Sequence, residues 1–542
     1  MEKNNMTPVM HAARGGHEEV FDLLVREGAN LSLLDDWDMN ILHLASIGGS
    51  VDIVKYVLVQ KIVGINSRDK DGWTPAMKAA LYKNKDVFDL LVEERADLLL
   101  VGDDKETILH VACQGGNVEI IQYLLTQDTV GIDKQDENGW TPVMHAAKGG
   151  HEAVFDVLVD KGADLSPVDG DKETILHVAC EGGNVEIIKY LLKHDIVNIN
   201  CQDGKGWTPI MHAAMSGHKG VFDVLVEGGA DLSLVGDYKM NTLYAACKGG
   251  NVEITQYLLK HDIVNIDCQD GKGWTPIMHA AMSGHKGVFD VLVDEGADLS
   301  LLCDDKETIL HVACEGGNVE IIKYILKHDI VDIGSRDANG WTPLMYGVSN
   351  GNEDVFDVLV EAGADLSLVT NDNETILHVA CVWGSFGITK YLLTHEIVDI
   401  DSRDNNGLTA VMATAMGGSI DVFKLLVKWG ADLSLLTDTN QNILHLACSH
   451  GGVEIVKYLL THNIVDINSR DGKECTPAMI AAYKGREAVF FLLVDHRADL
   501  TIMNDAGDNI LNLACNGENA HIVKYVSTRH VVEGPYKEDD PC

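Results

Sequence analysis

The chain has 542 residues, of which 83 are acidic and 42 basic, giving a formal net charge of −41. A surface of that sign repels phosphate, which argues against nucleic acid as a direct ligand and against an anionic membrane face, while it steers basic partners inward and keeps a long chain soluble. No run approaches the roughly 18–20 apolar residues of a membrane span, and the opening Met-Glu-Lys-Asn-Asn lacks the apolar region of a signal peptide, so a soluble cytoplasmic (or nuclear) chain is expected.

In chain order, the first recognisable string is Thr7-Pro8-Val9-Met10-His11-Ala12-Ala13. Thr is a good N-cap, and Pro fits the first helical position, where its missing N–H is not needed. A short helix is predicted through about Arg14, with Gly16 letting the chain turn back. A second helix carries Val20, Phe21, Leu24 and Val25 at the spacing of one helical face. Gly28 ends it in a left-handed conformation. Leu31-Ser-Leu-Leu-Asp-Asp then reaches out as a hairpin toward a second string, Asn40-Ile41-Leu42-His43-Leu44-Ala45.

Both strings recur. The first returns at Thr74, Thr141, Thr208, Thr275, Thr342, Thr409 and Thr476, always 67 residues on. The second returns at Thr107, Thr174, Asn241, Thr308, Thr375, Asn442 and Asn509, so the steps alternate 33 and 34. The chain is therefore sixteen repeats in eight pairs. These strings resemble the ankyrin-repeat signature Thr-Pro-Leu-His-x-Ala in a unit of about 33 residues. The resemblance covers residues 1–530 and implies an all-α solenoid of stacked helix-turn-helix units with protruding β-hairpin loops. One unit cannot bury its own apolar face, so stability is a sum of unit and interface terms. No linker interrupts the series, which predicts one continuous repeat domain followed by an acidic tail at 531–542.

The two members of a pair differ. Odd repeats carry Phe in the second helix, from Phe21 to Phe490, and even repeats carry Tyr two places later, from Tyr56 to Tyr525. An aromatic at one position in every second layer is expected in the core. Even repeats lack the helix-ending Gly and carry one extra residue instead, as in Lys193-His-Asp-Ile-Val-Asn-Ile. Among odd repeats Arg95 and Arg497 replace that Gly, a local penalty of about 1 kcal/mol. Residues 194–226 and 261–293 differ only at Asn200 against Asp267, which points to growth by duplicated pairs.

The chemistry-bearing residues follow the same periodicity. His43, His110, His177, His311, His378 and His445 occupy the family's His position in even repeats, where the resemblance implies bonding to the capping residue and nearby backbone. His11, His145, His212 and His279 stand one residue later in odd repeats, about 100° further round the helix. The resemblance places that position on the concave groove. Members of this series lie about 20 Å apart, too far to share an ion, so no metal is expected from it. The same spacing forbids disulfides within the helix series Cys113, Cys180, Cys247, Cys314, Cys381, Cys448 and Cys515, which read as small core residues in a reducing compartment. No nucleophile elbow, phosphate-binding loop, HExxH or kinase loop is present, and pairs such as Asp103-Asp104 read as solvated turn residues. No catalytic residue and no cofactor are expected.

Trp73, Trp140, Trp207, Trp274 and Trp341 each stand directly before the Thr-Pro, where the resemblance puts the junction of hairpin and first helix on the concave side; Leu408 and Cys475 end the series. Trp is a frequent interface anchor, and it also packs on its own hairpin. With acidic tips such as Asp169-Gly-Asp-Lys-Glu beside them, these residues and the His11, His145, His212 and His279 series form the candidate binding face. The expected function is a non-catalytic scaffold for other proteins with basic or extended segments, without nucleic acid or membrane insertion. Two other readings stand beside it. Repeat 1 looks like an internal repeat, whereas repeat 16 has Glu518 and runs polar at Ser527, which suits the recognition portion of a larger enzyme or receptor. A stack about 150 Å long would also serve as an elastic spacer.

Overall fold

The computed structural model describes residues 5–127, 130–417 and 419–528; the tail expected at 531–542 lies outside the described residues. The described residues form 32 α-helices, two to each repeat, and no strand. In repeat 1 the helices are Pro8–Arg14 and Glu18–Arg26, and in repeat 2 they are Ile41–Gly48 and Val51–Val59. Thr7 caps the first of these in extended backbone, its hydroxyl accepting the Met10 N–H, with Pro8 at the first turn. Asn40 caps the third by accepting the N–H groups of Leu42 and His43.

Left-handed residues turn the chain out of the second helices. Gly28 has φ 86°, and Arg95 and Arg497 hold the same place at φ 66°, as the sequence predicts. The even repeats differ from expectation. Their extra residue does not replace the left-handed turn, which Lys61, Asp195, Asp262, Asp329, Glu396 and Asn463 make at φ between 48° and 51°.

The hairpins differ too. They are turns closed by isolated antiparallel bridges, such as Val101 with Thr107 and Val168 with Thr174. The reason is side-chain competition. Asp136 Oδ1 accepts the N–H groups of Asn138 and Trp140, both at 2.9 Å, and so takes donors that a strand ladder would use. Arg68 ties one turn to the next, donating to the Val101 carbonyl at 2.9 Å and to Asp103 at 2.8 Å.

The chain divides between Gly271 and Lys272 into two compact units, each holding four of the eight repeat pairs. Within each unit, first helices pack on first helices and second on second, in two rows. The core lies between the rows. Phe155 and Phe289 are fully buried, and each meets the Tyr of the following repeat edge-on: Phe155 on Tyr190 at 5.6 Å and 77°, Phe289 on Tyr324 at 5.7 Å and 77°. This contact explains the alternation of Phe and Tyr. An edge-to-face pair needs one ring from each repeat, and it adds about 0.5–1.5 kcal/mol beyond burial. Cys113, Cys180, Cys247, Cys314, Cys381 and Cys448 are free and fully buried, and burial pushes their thiols up. Cys515, in repeat 16, is only half-buried, which departs from the reading of the whole series as core thiols.

Candidate binding face

Three positions recur around each Trp of the odd repeats. An Asp stands four residues before it in the finger turn, and the groove residue stands five after it on the first helix. A Glu frequently precedes the cap of the previous repeat, as Glu106, Glu173, Glu307 and Glu374 do. The structure brings these together.

Around Trp140, Asp136 Oδ2 lies 3.2 Å from His145 Nε2, and the His145 ring meets the Trp140 ring at 5.2 Å. Burial alone would raise the Asp136 carboxyl, but hydrogen bonds from His145 and the Trp140 N–H outweigh it and hold it below the usual range. Around Trp207, His212 lies between two carboxylates, its Nδ1 2.8 Å from Glu181 and its Nε2 3.1 Å from Asp203. Around Trp73 the groove residue is Lys78, whose ammonium is 2.6 Å from Asp69 and 4.6 Å from the Trp73 ring centre. Around Trp341 it is Tyr346, whose hydroxyl reaches Glu307 at 2.6 Å and Asp337 at 3.1 Å. Trp274 and His279 make the same ring contact at 5.3 Å. His11 is exposed on the first helix of repeat 1, with no Trp before its Thr.

All five Trp are half-buried. The Trp73 indole N–H donates to Glu106 and that of Trp140 to Asp169, both at 2.8 Å. Each of these two rings therefore braces its finger against the next and leaves only part of its surface free. The even-repeat histidines sit behind them. His110 Nδ1 accepts the Thr107 N–H at 3.0 Å, which places its proton on Nε2, and Nε2–H donates to the carbonyls of Lys134 at 2.8 Å and Trp140 at 3.1 Å. Burial pushes His110 and His177 down to about 4.

Where the Trp series ends, the face opens. Cys475 and Ile480 replace Trp and His, and a cleft of about 910 Å³ lies beside them. Asp438, Asp471, Asp505 and Asp508 line it with Ile480 and Tyr483, against two cations, Lys473 and Lys484. One layer earlier, Ala413 stands at the groove position, and Glu374 is raised by burial and by the nearby Asp404. Asp103 and Asp104 are exposed, as expected of solvated turn residues, whereas Glu106, Asp136, Glu173 and Asp203 face the groove residues, a role their place in the turns does not announce. Their fixed spacing, Glu106 thirty residues before Asp136 and Asp136 nine before His145, was the available signal.

Two rows of helices with finger turns, and in each unit a face set with Trp and paired carboxylates, define a helical repeat protein. The family model for ankyrin repeats (three copies) matches seven times, from residues 9–101 to residues 430–504. The chain belongs to the ankyrin-repeat family. It is similar to the human transient receptor potential cation channel subfamily A member 1, 24% identical over 535 residues, covering 95% of this chain and 47% of the channel. It is also similar to the ankyrin repeat and KH domain-containing protein mask-1 of Caenorhabditis elegans, 28% identical over 479 residues, covering 84% of this chain and 17% of that protein. The ankyrin repeat domain-containing protein SAT10 of Stachybotrys chartarum is 23% identical over 533 residues, covering 84% of this chain and 27% of that one. The chain thus spans less than half the length of these relatives. No helix among the described residues is long and apolar enough to cross a membrane.

Proposed function

We propose that the chain is a non-catalytic scaffold whose finger-and-first-helix face takes an extended, basic, partly apolar segment of another protein. The observation that carries this reading is Lys78. Its ammonium, held between the Asp69 carboxylate and the Trp73 ring, is an internal example of the cation the face accepts. At the layer of Glu374 and Asp404 the groove residue is Ala413, so no side chain of that position supplies the cation. The cleft lined by Asp438, Asp471, Asp505 and Asp508 continues the same acidic character beside the apolar Ile480 and Tyr483. A Lys or Arg from a partner would complete such layers, and a neighbouring apolar residue would cover the exposed aromatic surface. A net charge of −41 would steer such a segment in, most strongly at low salt. The compartment that fits this role is the cytoplasm.

Selection of a displayed library of random peptides on the full chain tests the reading. Enrichment of Lys or Arg flanked by apolar residues is the expected result. Enrichment of acidic peptides, or of none, contradicts it. The alignment with the human channel, over 95% of this chain and 47% of that protein, favours a second reading, the recognition portion of a larger enzyme or receptor.

A further inference from the structure

The carboxylates around His145 and His212 do more than surround an imidazole. Glu106, Asp136 and His145 each place one ligand atom within 4.8 Å of the other two, and so do Glu173, Glu181 and His212. The distance that excludes a metal shared along the histidine series says nothing of these mixed sets, because their members come from adjoining repeats. We infer that the Glu106–Asp136–His145 cluster is a divalent transition-metal site, with Glu173–Glu181–His212 as a weaker second one.

The first cluster has the features of a supported ligand set. Two ligands on one tetrahedral ion, each about 2.0–2.1 Å from it, stand about 3.3 Å apart. Asp136 Oδ2 and His145 Nε2 are 3.2 Å apart. Each ligand is also held from behind, as outer partners hold metal ligands. Asp136 Oδ1 accepts two backbone N–H groups, Glu106 Oε2 accepts the Trp73 indole N–H at 2.8 Å, and the His145 ring is fixed against the Trp140 and His110 rings at 5.2 and 5.5 Å. One imidazole nitrogen with two carboxylate oxygens suits zinc and its neighbours, whereas calcium and magnesium prefer oxygen alone. Three protein ligands leave a coordination position for water or a partner side chain.

The other layers of the chain act as internal controls. At Asp69 the ammonium of Lys78 takes the place an ion would have. Between Glu307 and Asp337 the hydroxyl of Tyr346 bridges both carboxylates at 2.6 and 3.1 Å and fills the gap. In the second cluster the Lys148 ammonium pairs with Glu181, and the two His212 nitrogens already face Glu181 and Asp203, so an ion there must displace more.

Calorimetric titration of the metal-stripped full chain with Zn²⁺ tests the assignment. Wild type is expected to bind two ions of unequal affinity. His145→Tyr copies the Tyr346 layer, so it keeps a donor between the carboxylates while removing the nitrogen ligand; loss of the tighter ion from the stoichiometry is expected, with an unchanged circular-dichroism melt. Tyr346→His places the same donor set between Glu307 and Asp337 and is expected to add an ion. Zn²⁺ binding that is identical in wild type and His145→Tyr would belong to surface histidines and would overturn the site. No gain in Tyr346→His, in a variant that melts as wild type does, would overturn the donor-set argument.

Discussion

His110 Nε2–H donates to the carbonyl oxygen of Trp140 at 3.1 Å across 30 residues of chain. The same bond runs from His43 to Trp73, His177 to Trp207 and His311 to Trp341 at 3.0–3.1 Å. It continues from His378 to Leu408 and from His445 to Cys475 after the Trp series has ended. The buried histidine therefore anchors the backbone that presents the groove residue, whatever side chain that residue carries. His110→Ala leaves the Trp140 carbonyl and the Thr107 N–H buried without this partner, and each such group costs about 1–3 kcal/mol. His110→Tyr is the milder change, because Tyr244 holds this register in repeat 8 and donates to the Cys268 carbonyl at 2.7 Å. Urea unfolding of both variants checks the ordering; equal losses would contradict it.

These histidines also set an acid limit. His110 and His177 are neutral in the fold, pushed down by burial to about 4 from an ordinary 6.5. The unfolded chain binds more protons between those values, so stability is complete above pH 6.5 and is lost as pH falls toward 4. Each residue contributes up to about 3 kcal/mol to that loss. Melting temperature measured from pH 7.5 to pH 4.5 is expected to fall, with most of the change below about 6.5. A flat profile would mean that these rings do not stay neutral.

Arg95 and Arg497 hold φ 66° where their counterparts are glycine. Arg95→Gly is expected to stabilise the chain by about 1 kcal/mol. A denaturation midpoint that does not move would contradict this.

The Phe–Tyr contact is measurable by a double-mutant cycle. Phe155→Ala should cost about 3–5 kcal/mol, mostly from the cavity. Its coupling to Tyr190→Ala should be about 0.5–1.5 kcal/mol, the edge-to-face share. Zero coupling would leave the alternation of the two residues unexplained.

Most of the fold was legible because its signals are local. Thr7-Pro8 states a cap, Phe21 states a core position with Tyr56 half-buried edge-on against it, and Arg95 inherits a left-handed turn from the register of Gly28. The hairpins were less legible, because whether Asp136 or a facing strand takes the Trp140 N–H depends on a side-chain rotamer. The carboxylate clusters were least legible. Glu106 and His145 are 39 residues apart and belong to different repeats, so they meet only after stacking. The Trp series was legible as a position on the face, but not its indole bonds, since Trp140 N–H reaches an Asp169 that lies in the following finger.

The acidic face is proposed to recognise a basic segment. Titration of a library-selected Lys- or Arg-bearing peptide into wild type and into the Asp438→Asn, Asp505→Asn, Asp508→Asn variant, at low and at physiological salt, tests it most directly. Binding at least about tenfold weaker in the variant is expected, a change of about 1.4 kcal/mol, with a smaller dependence on salt than wild type shows. Equal affinity in the two proteins at both salt concentrations would contradict it.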